Sequence, residues 1–555
     1  MKKAKVTLHP AYRIGDISKR LFGAFLEPIG SMVNGSMYNP KHPTADEQGF
    51  RQDFIDGLKE AQLPCIRMPG GNFVSGWNWK DSIGPKENRK TRLDTAWYQF
   101  IPNDVGHDEY LQWAEKCGAE AMYTINLGTG TMQDAMDIVE YTNFEGGTDG
   151  SEQRRKNGHD KPYGVKTWYL GNEMDGPWQI GSYQKDPRGY GVLAHETSKA
   201  MKWIDPTIET IACASSSPFL NHYPDWDMQV LEQCYDVVDY ISLHHYHSAP
   251  PGNVKALMAG SQAFENYIQT EIAMCDYLKT HLRSDKTMML SLDEYACSYR
   301  PAQGAKLGMA GRQPAMGFLG LDPERKYVRH DPDDWSTRRS FPKNGEMART
   351  LATATVMLTM LRHADRIKIG CATSGINMLC ATDREHAWKS AAYYPMTQMI
   401  RYAKGVSLTP VVESETFDVE GYAIDDMNQY KGFTDVPYVQ AAAALTLKKA
   451  DLAATAVKET VAAEKPGKYN VVLWDLGAKA DTLSQLESRG CAVTVVPANI
   501  KAEQVLALDA DGVVISAGAG NPADYEAIAN EIREVANKHL PMFGIGLGHQ
   551  LLAMS

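Results

Sequence analysis

The sequence has no apolar run of about 18 residues, so it offers no candidate membrane span. Its opening stretch, MKKAKVTLHPAYRIGD, is basic but lacks the roughly 7–15 apolar residues of a secretory signal. The nine cysteines form no CxxC pair and no repeated spacing, which argues against a disulfide scaffold and predicts free thiols in a reducing cytosol. There is no HExxH, no Walker loop and no GxSxG turn, and the glycines near 128 and 516 do not complete GxGxxG. Nucleotide, dinucleotide and serine-hydrolase chemistry therefore have no motif to rest on, and no cofactor is expected. Basic charge does not dominate either. Against 57 Lys and Arg stand 68 Asp and Glu, a formal net charge of -11, so no dense cationic footprint awaits nucleic-acid phosphates. A neutral or weakly charged substrate fits better.

What is present is an ordinary globular composition, 43% hydrophobic and 23% charged, in 555 residues. That length exceeds what one core accommodates and predicts two or three domains. Between about 20 and 380, short β-rich runs alternate with longer amphipathic stretches. The expected strands are 21–26, 65–68, 121–127, 165–170, 209–214, 238–243, 288–292 and 366–372. Eight such units predict an α/β fold, a closed (β/α)8 TIM barrel. Chemically distinctive residues follow the runs: Glu27, Arg67 and Asn72, Asn126, Asn172 and Glu173, His244 and Tyr246, and Glu294. A barrel interior is filled by apolar side chains, so polar groups after the strands predict a site on the carboxyl-end rim.

Residues 1–19 and 381–447 read as strands of an incomplete β-sandwich, 448–469 as an alanine- and lysine-rich linker, and 470–555 as a new α/β segment. The long basic stretch after Glu294, through RPAQGAKLGMAGRQ to WSTRRSFP, reads equally as a wall over the substrate or as a solvated insertion.

The main chemical signal is a pair of carboxylates. KTWYLGNEMDGPWQIG ends a strand at Asn172-Glu173, and TMMLSLDEYACSY is expected to end one at Asp293-Glu294. Glycoside hydrolysis requires two carboxyl groups about the scissile bond; a gap of about 5–5.5 Å implies retention and about 6.5–9.5 Å inversion. On the residues alone, a structural ion pair with a nearby Arg gives the same pattern. His244, His245 and His247 invite a metal reading, but neighbours on a strand face opposite ways, so no metal site is expected.

The strings FGAFLEP, IRMPGGNF, GPKENRKTRLDTAW, INLGTG, YLGNEMDGPWQIG and ISLHHYH, spread over residues 20 to about 445, resemble glycoside hydrolase family 51, the α-L-arabinofuranosidases. The resemblance implies a retaining, exo-acting enzyme that releases terminal α-L-arabinofuranosyl residues from arabinoxylan or arabinan oligosaccharides. It implies Glu173 as acid/base and Glu294 as nucleophile. It also implies substrate contacts from Glu27, Asn72, Asn172, Tyr246, His244 and Trp178, and a homo-oligomer, dimer or hexamer. Two departures stand out: Met68 replaces the family's Trp in RWPGGNF, and Ser374, near Asn377, stands where a Gln is usual. A related clan glycosidase, such as a β-xylosidase or endo-glycanase, and a non-catalytic fusion remain the alternatives.

From Asn470 the chain resembles the first half of a class I glutamine amidotransferase domain, as in the carbamoyl-phosphate synthase small subunit, a truncated flavodoxin-like fold. The family's string like GICLGHQ is here GIGLGHQ, with Gly546 where the nucleophilic cysteine stands, and SAGAGNP departs from NGPGDP. The resemblance therefore implies no amidotransferase activity.

Overall fold

In a computed structural model, the described residues are 3–302, 326–329, 347–373, 380–425, 428–446, 459–478, 480–518, 520 and 522–555. Most of the basic stretch after Glu294, together with Ser374 and Asn377, lies outside them. The chain divides into two compact units, Met1–Leu445 and Thr446–Ser555.

In the first unit eight parallel strands close a barrel in chain order: β1 (Gly23–Phe25), β2 (Cys65–Met68), β3 (Glu120–Ile125), β4 (Thr167–Leu170), β5 (Glu209–Cys213), β6 (Tyr240–Ala249), β7 (Met289–Tyr299) and β8 (Ile367–Ala372). Each is followed by a helix: α1 (Gln52–Ala61), α2 (His107–Cys117), α3 (Met132–Asn143), α4 (Pro187–Ile204), α5 (Asp225–Cys234), α6 (Gly260–His281), α7 (Met347–Arg362) and α8 (Tyr393–Tyr402). Helix starts follow local chemistry. Thr131 accepts from the Asp134 amide at the start of α3, and Asp186 accepts from the Gly189 amide with Pro187 in the first turn of α4. The strands are buried on both faces. Phe25, Cys65, Met122, Tyr169, Ile211, Tyr240, Ile369 and Cys371 form one cluster, while Ile66, Tyr123, Leu170 and Leu243 belong to the larger core.

Two strands run further than expected. β6 continues past 243 to Ala249, and β7 past 292 to Tyr299, the two remaining paired to their ends. Glu294 therefore sits within a strand, not after one. The segments expected to make a sandwich carry small antiparallel sheets. Ala4–Thr7 pairs with Val411–Ser414, Arg13–Asp16 and Ala443–Leu445 flank Val406–Leu408, and Thr416–Asp425 pairs with Asn428–Pro437.

The second unit carries a four-stranded parallel sheet of β9 (Tyr469–Asp475), β10 (Cys491–Pro497), β11 (Gly512–Ile515) and β12 (Met542–Gly544), ordered β10-β9-β11-β12. Val472, Trp474, Val513, Ile515, Ile532 and Leu551 give it a buried core of its own. Val461, within the expected linker, bridges Val495 and so belongs to this unit's sheet. Phe543 on edge strand β12 is 65% exposed. Gly546 lies between β12 and the helix Leu547–Met554 with φ +55°, and a Cβ built there would stand 3.4 Å from Ala517. The turn keeps the backbone of a strand-to-helix elbow but has no side chain with which to attack.

Candidate active site

The site is built over the barrel interior from β2, the residues just after β4 and the middles of β6 and β7, and an irregularity in β7 shapes it. Leu243 pairs with Leu292 but His244 with Glu294, so β7 carries one extra residue at Asp293. Leu290 and Leu292 before it, and Tyr295 and Cys297 after it, all pack in the outer core. The bulge lets two successive residues, Asp293 and Glu294, both reach the interior. Arg67 meets both: its Nε lies 3.0 Å from Asp293 Oδ2 and its Nη1 donates to Glu294 Oε1 at 2.7 Å. Its Nη2 donates to Asn172 Oδ1 at 2.7 Å, and its guanidinium lies over the rings of Phe25 and Tyr169. Arg67 is fully buried and neutralised from two sides.

Glu173, at the end of β4, has φ +43°, a left-handed conformation costing a non-glycine residue about 1–2 kcal/mol. Its Oε2 accepts from Trp178 Nε1 at 2.6 Å, and its Oε1 stands 3.1 Å from His244 Nδ1. Glu294 accepts from Tyr246 Oη at 2.5 Å, and Tyr246 also meets Thr373 Oγ1 at 3.0 Å. One oxygen of Glu173, one nitrogen of His244 and one oxygen of Glu294 all lie within 4.8 Å of one another. The two glutamates and the histidine thus face one small space.

Electrostatics separates the two glutamates. Burial, reinforced by the Glu294 charge, raises the Glu173 pKa, with His244 partly opposing. Burial disfavours charge on His244, yet Glu294, Asp293 and Glu173 around it outweigh that and lift it to about 10. Asp293 is likewise desolvated but held below the usual carboxylate range by Arg67 and His244. Glu173, His244 and Glu294 have the atoms to ligate a divalent cation. A cation there would have to displace the proton that Glu294 and Asp293 favour on the imidazole.

The remaining expected residues gather at the same rim. Glu27 is buried, accepts from the Phe73 amide at 3.1 Å and from Trp97 Nε1 at 2.6 Å, and is raised well above the usual carboxylate range by burial and by Glu294. Gly71 (φ +68°) makes room for it: a Cβ there would lie 2.1 Å from the Glu27 carboxyl carbon. Asn72 Oδ1 accepts from Asn172 Nδ2 at 3.2 Å and Gln179 Nε2 at 2.9 Å. Asn126 does other work. Its Oδ1 accepts from the amides of Gly128, Thr129 and Gly130, fixing that turn.

The three histidines part company as alternation requires. His244 faces the carboxylates, whereas His245 packs against Phe264 and His247 against Tyr430, and burial lowers these two to about 3 and about 4. The sequence reading missed Asp293 and Trp97 as parts of this network, and it marked Arg67 only as a rim residue. For Arg67 the available signal was a charged side chain within the apolar strand CIRM. For Asp293 none existed, since a regular strand would turn it and Glu294 to opposite faces.

Comparison with known proteins agrees with this geometry. Residues 57–270 match the family model described as the alpha-L-arabinofuranosidase 1 domain, and 293–496 that of the alpha-L-arabinofuranosidase C-terminal domain. Residues 472–555 match the class I glutamine amidotransferase model. The chain is 40% identical over 465 residues to the intracellular exo-α-(1→5)-L-arabinofuranosidase 1 of Bacillus subtilis, covering 83% of this chain and 85% of that protein. It is 34% identical to an exo-α-(1→6)-L-arabinofuranosidase of Bifidobacterium longum, covering 76% and 78%. Among solved structures, a family 51 α-L-arabinofuranosidase from Bifidobacterium longum superposes with a TM-score of 0.65 at 30% identity, over 75% of this chain and 80% of that one. The Thermotoga maritima α-L-arabinofuranosidase arabinose complex gives 0.66 at 26%, over 80% and 83%.

Proposed function

From a chain that belongs to the α-L-arabinofuranosidases of glycoside hydrolase family 51, we propose a retaining hydrolase in which Glu294 is the nucleophile and Glu173 the acid/base. The observation that carries the assignment is the pair of glutamates set about His244, one atom of each within 4.8 Å, with Arg67 donating to Glu294 and burial raising the pKa of Glu173. Arg67 and the Tyr246 hydroxyl both donate to Glu294 and orient it for attack at the anomeric carbon. Burial raises the pKa of Glu173 and so favours the protonated form that gives its proton to the leaving oxygen. In the second half-reaction Glu173, now a carboxylate, takes a proton from water, which attacks the arabinosyl-enzyme ester and restores the α configuration.

Around this centre Glu27, Asn72 and Asn172 receive sugar hydroxyls, and Tyr246 and Trp178 border the furanose. The names of the relatives support exo-acting release of α-L-arabinofuranosyl groups, and the family resemblance extends this to arabinan or arabinoxylan oligosaccharides. The family resemblance supports a homo-oligomer, dimer or hexamer. A cytoplasmic place of action is supported by relatives named intracellular and by eight free cysteines among the described residues.

The raised pKa of Glu173 sets the alkaline limb of the pH profile. The acid must be protonated to act, so on the alkaline side kcat/KM is expected to fall as pH rises through that pKa. Glu173→Ala is expected to lower kcat/KM on a poorly activated arabinoside by about 10²- to 10⁴-fold and to abolish that limb. A pH–rate profile on both proteins measures this; an alkaline limb that survives in the variant removes Glu173 from the role.

A further inference from the structure

Glu173 opens a loop, 171–183, whose placement decides where its carboxyl points. Internally the loop is tied by backbone bonds: the Gly176 amide donates to Glu173 O at 2.8 Å and the Tyr183 amide to Met174 O at 2.8 Å. These bonds close the loop on itself but do not fix it to the barrel. Side chains do that: Asn172 and Gln179 meet Arg67 and Asn72, Trp226 donates to the Tyr183 carbonyl, and Asp175 reaches the segment after β5. Asp175, fully buried, directs Oδ2 at the segment after β5 and accepts there from the Ser216 amide at 3.0 Å and from Ser216 Oγ at 3.1 Å; His222 Nε2 stands 3.0 Å away. A carboxylate accepting two donors beside an imidazole is a strong, directional anchor.

The anchor point is itself held. Ser215 Oγ donates to Asp227 Oδ1 on α5 at 2.6 Å, and Tyr267 Oη on α6 donates to the Ser215 carbonyl at 2.6 Å. The donors for Asp175 are thus fixed from two helices. Two residues upstream, the backbone keeps the left-handed conformation that turns Glu173 toward His244 and Trp178.

We propose that Asp175 is a positioning residue for acid catalysis: through Ser216 and His222 it holds the loop that aims the Glu173 carboxyl at the leaving oxygen. The inference rests on the assignment of Glu173 as the acid. Its signature is selective. A poor leaving group depends on a well-placed proton, whereas a strongly activated phenolate departs with little help. A residue that merely supported folding would cost all substrates alike.

The test is kcat/KM over α-L-arabinofuranosides whose leaving groups range from alkyl alcohols to dinitrophenol, for wild type, Glu173→Ala, Asp175→Ala, Asp175→Asn and His222→Gln. Asp175→Ala is expected to lose about 10- to 100-fold on the alkyl substrates and less than about 3-fold on the dinitrophenyl one, the scale set by a misplaced catalytic group. Asp175→Asn, which keeps an oxygen for Ser216, should recover part of the loss, and His222→Gln should lose selectively but less. Should Asp175→Ala not accumulate as folded protein, Asp175→Asn and His222→Gln supply the same comparison. Equal losses across the series, or none, in the Asp175 and His222 variants overturn the proposal when Glu173→Ala still discriminates among leaving groups. If Glu173→Ala itself shows no discrimination, it is the acid/base assignment that falls.

Discussion

Glu294→Ala is expected to lower kcat on an aryl α-L-arabinofuranoside by on the order of 10⁴-fold or more, because the covalent intermediate forms on its carboxyl group. Azide should restore turnover and should yield the β-arabinosyl azide, since the small anion enters from the face that the missing carboxylate occupied. The complementary variant, Glu173→Ala, should give the α-azide, because Glu294 still forms the intermediate and azide replaces water in the second step. Product configuration, read by NMR, decides the roles independently of rate. An α-azide from Glu294→Ala, or turnover near wild type without azide, would falsify the assignment. Loss of the Glu294 charge should also lower the pKa of Glu173, which that charge helps to raise.

Arg67→Met is expected to destabilise the barrel by about 3–5 kcal/mol, the scale for removing one partner of a buried ion pair. The cause is what remains: Asp293, fully buried, and Glu294, at 5% exposure, lose the cation that neutralises both. Chemical denaturation measures the loss, and the double variant Arg67→Met/Asp293→Leu separates its parts. Removing one of the two carboxyls should return a share of the stability while activity stays low, because Glu294 still lacks one of its two orienting donors. Unchanged stability in the single variant would mean that water, not Arg67, satisfies these carboxylates.

Much of this barrel is legible in the sequence because each strand is a short apolar run bounded by polar or glycine residues, as with Cys65–Met68 before Pro69-Gly70 and Thr167–Leu170 before Gly171. β6 and β7 were harder. Beyond Leu243 and Leu292 their side chains alternate between the site and the outer core, so His244 and Glu294 interrupt the apolar signal without ending the strand. The catalytic candidates were recognisable as strand-end carboxylates together with long family strings. Their settings were not, because a pKa depends on which charges meet in space. Arg67, Asp293 and His244 come from three strands far apart in sequence, and no local pattern says that they converge.

A barrel strand ordinarily grants its cavity every second letter, and the offset at Asp293 grants two in succession. The dipeptide Asp293-Glu294 therefore supplies both a permanent counter-ion and a reactive acid to the same arginine. Ironed flat without losing a residue, β7 would turn Glu294 toward the helices and swing Tyr295 into the sugar hollow. Shortened by Asp293 alone, it would keep the alternation of every flanking residue and forfeit only the counter-ion.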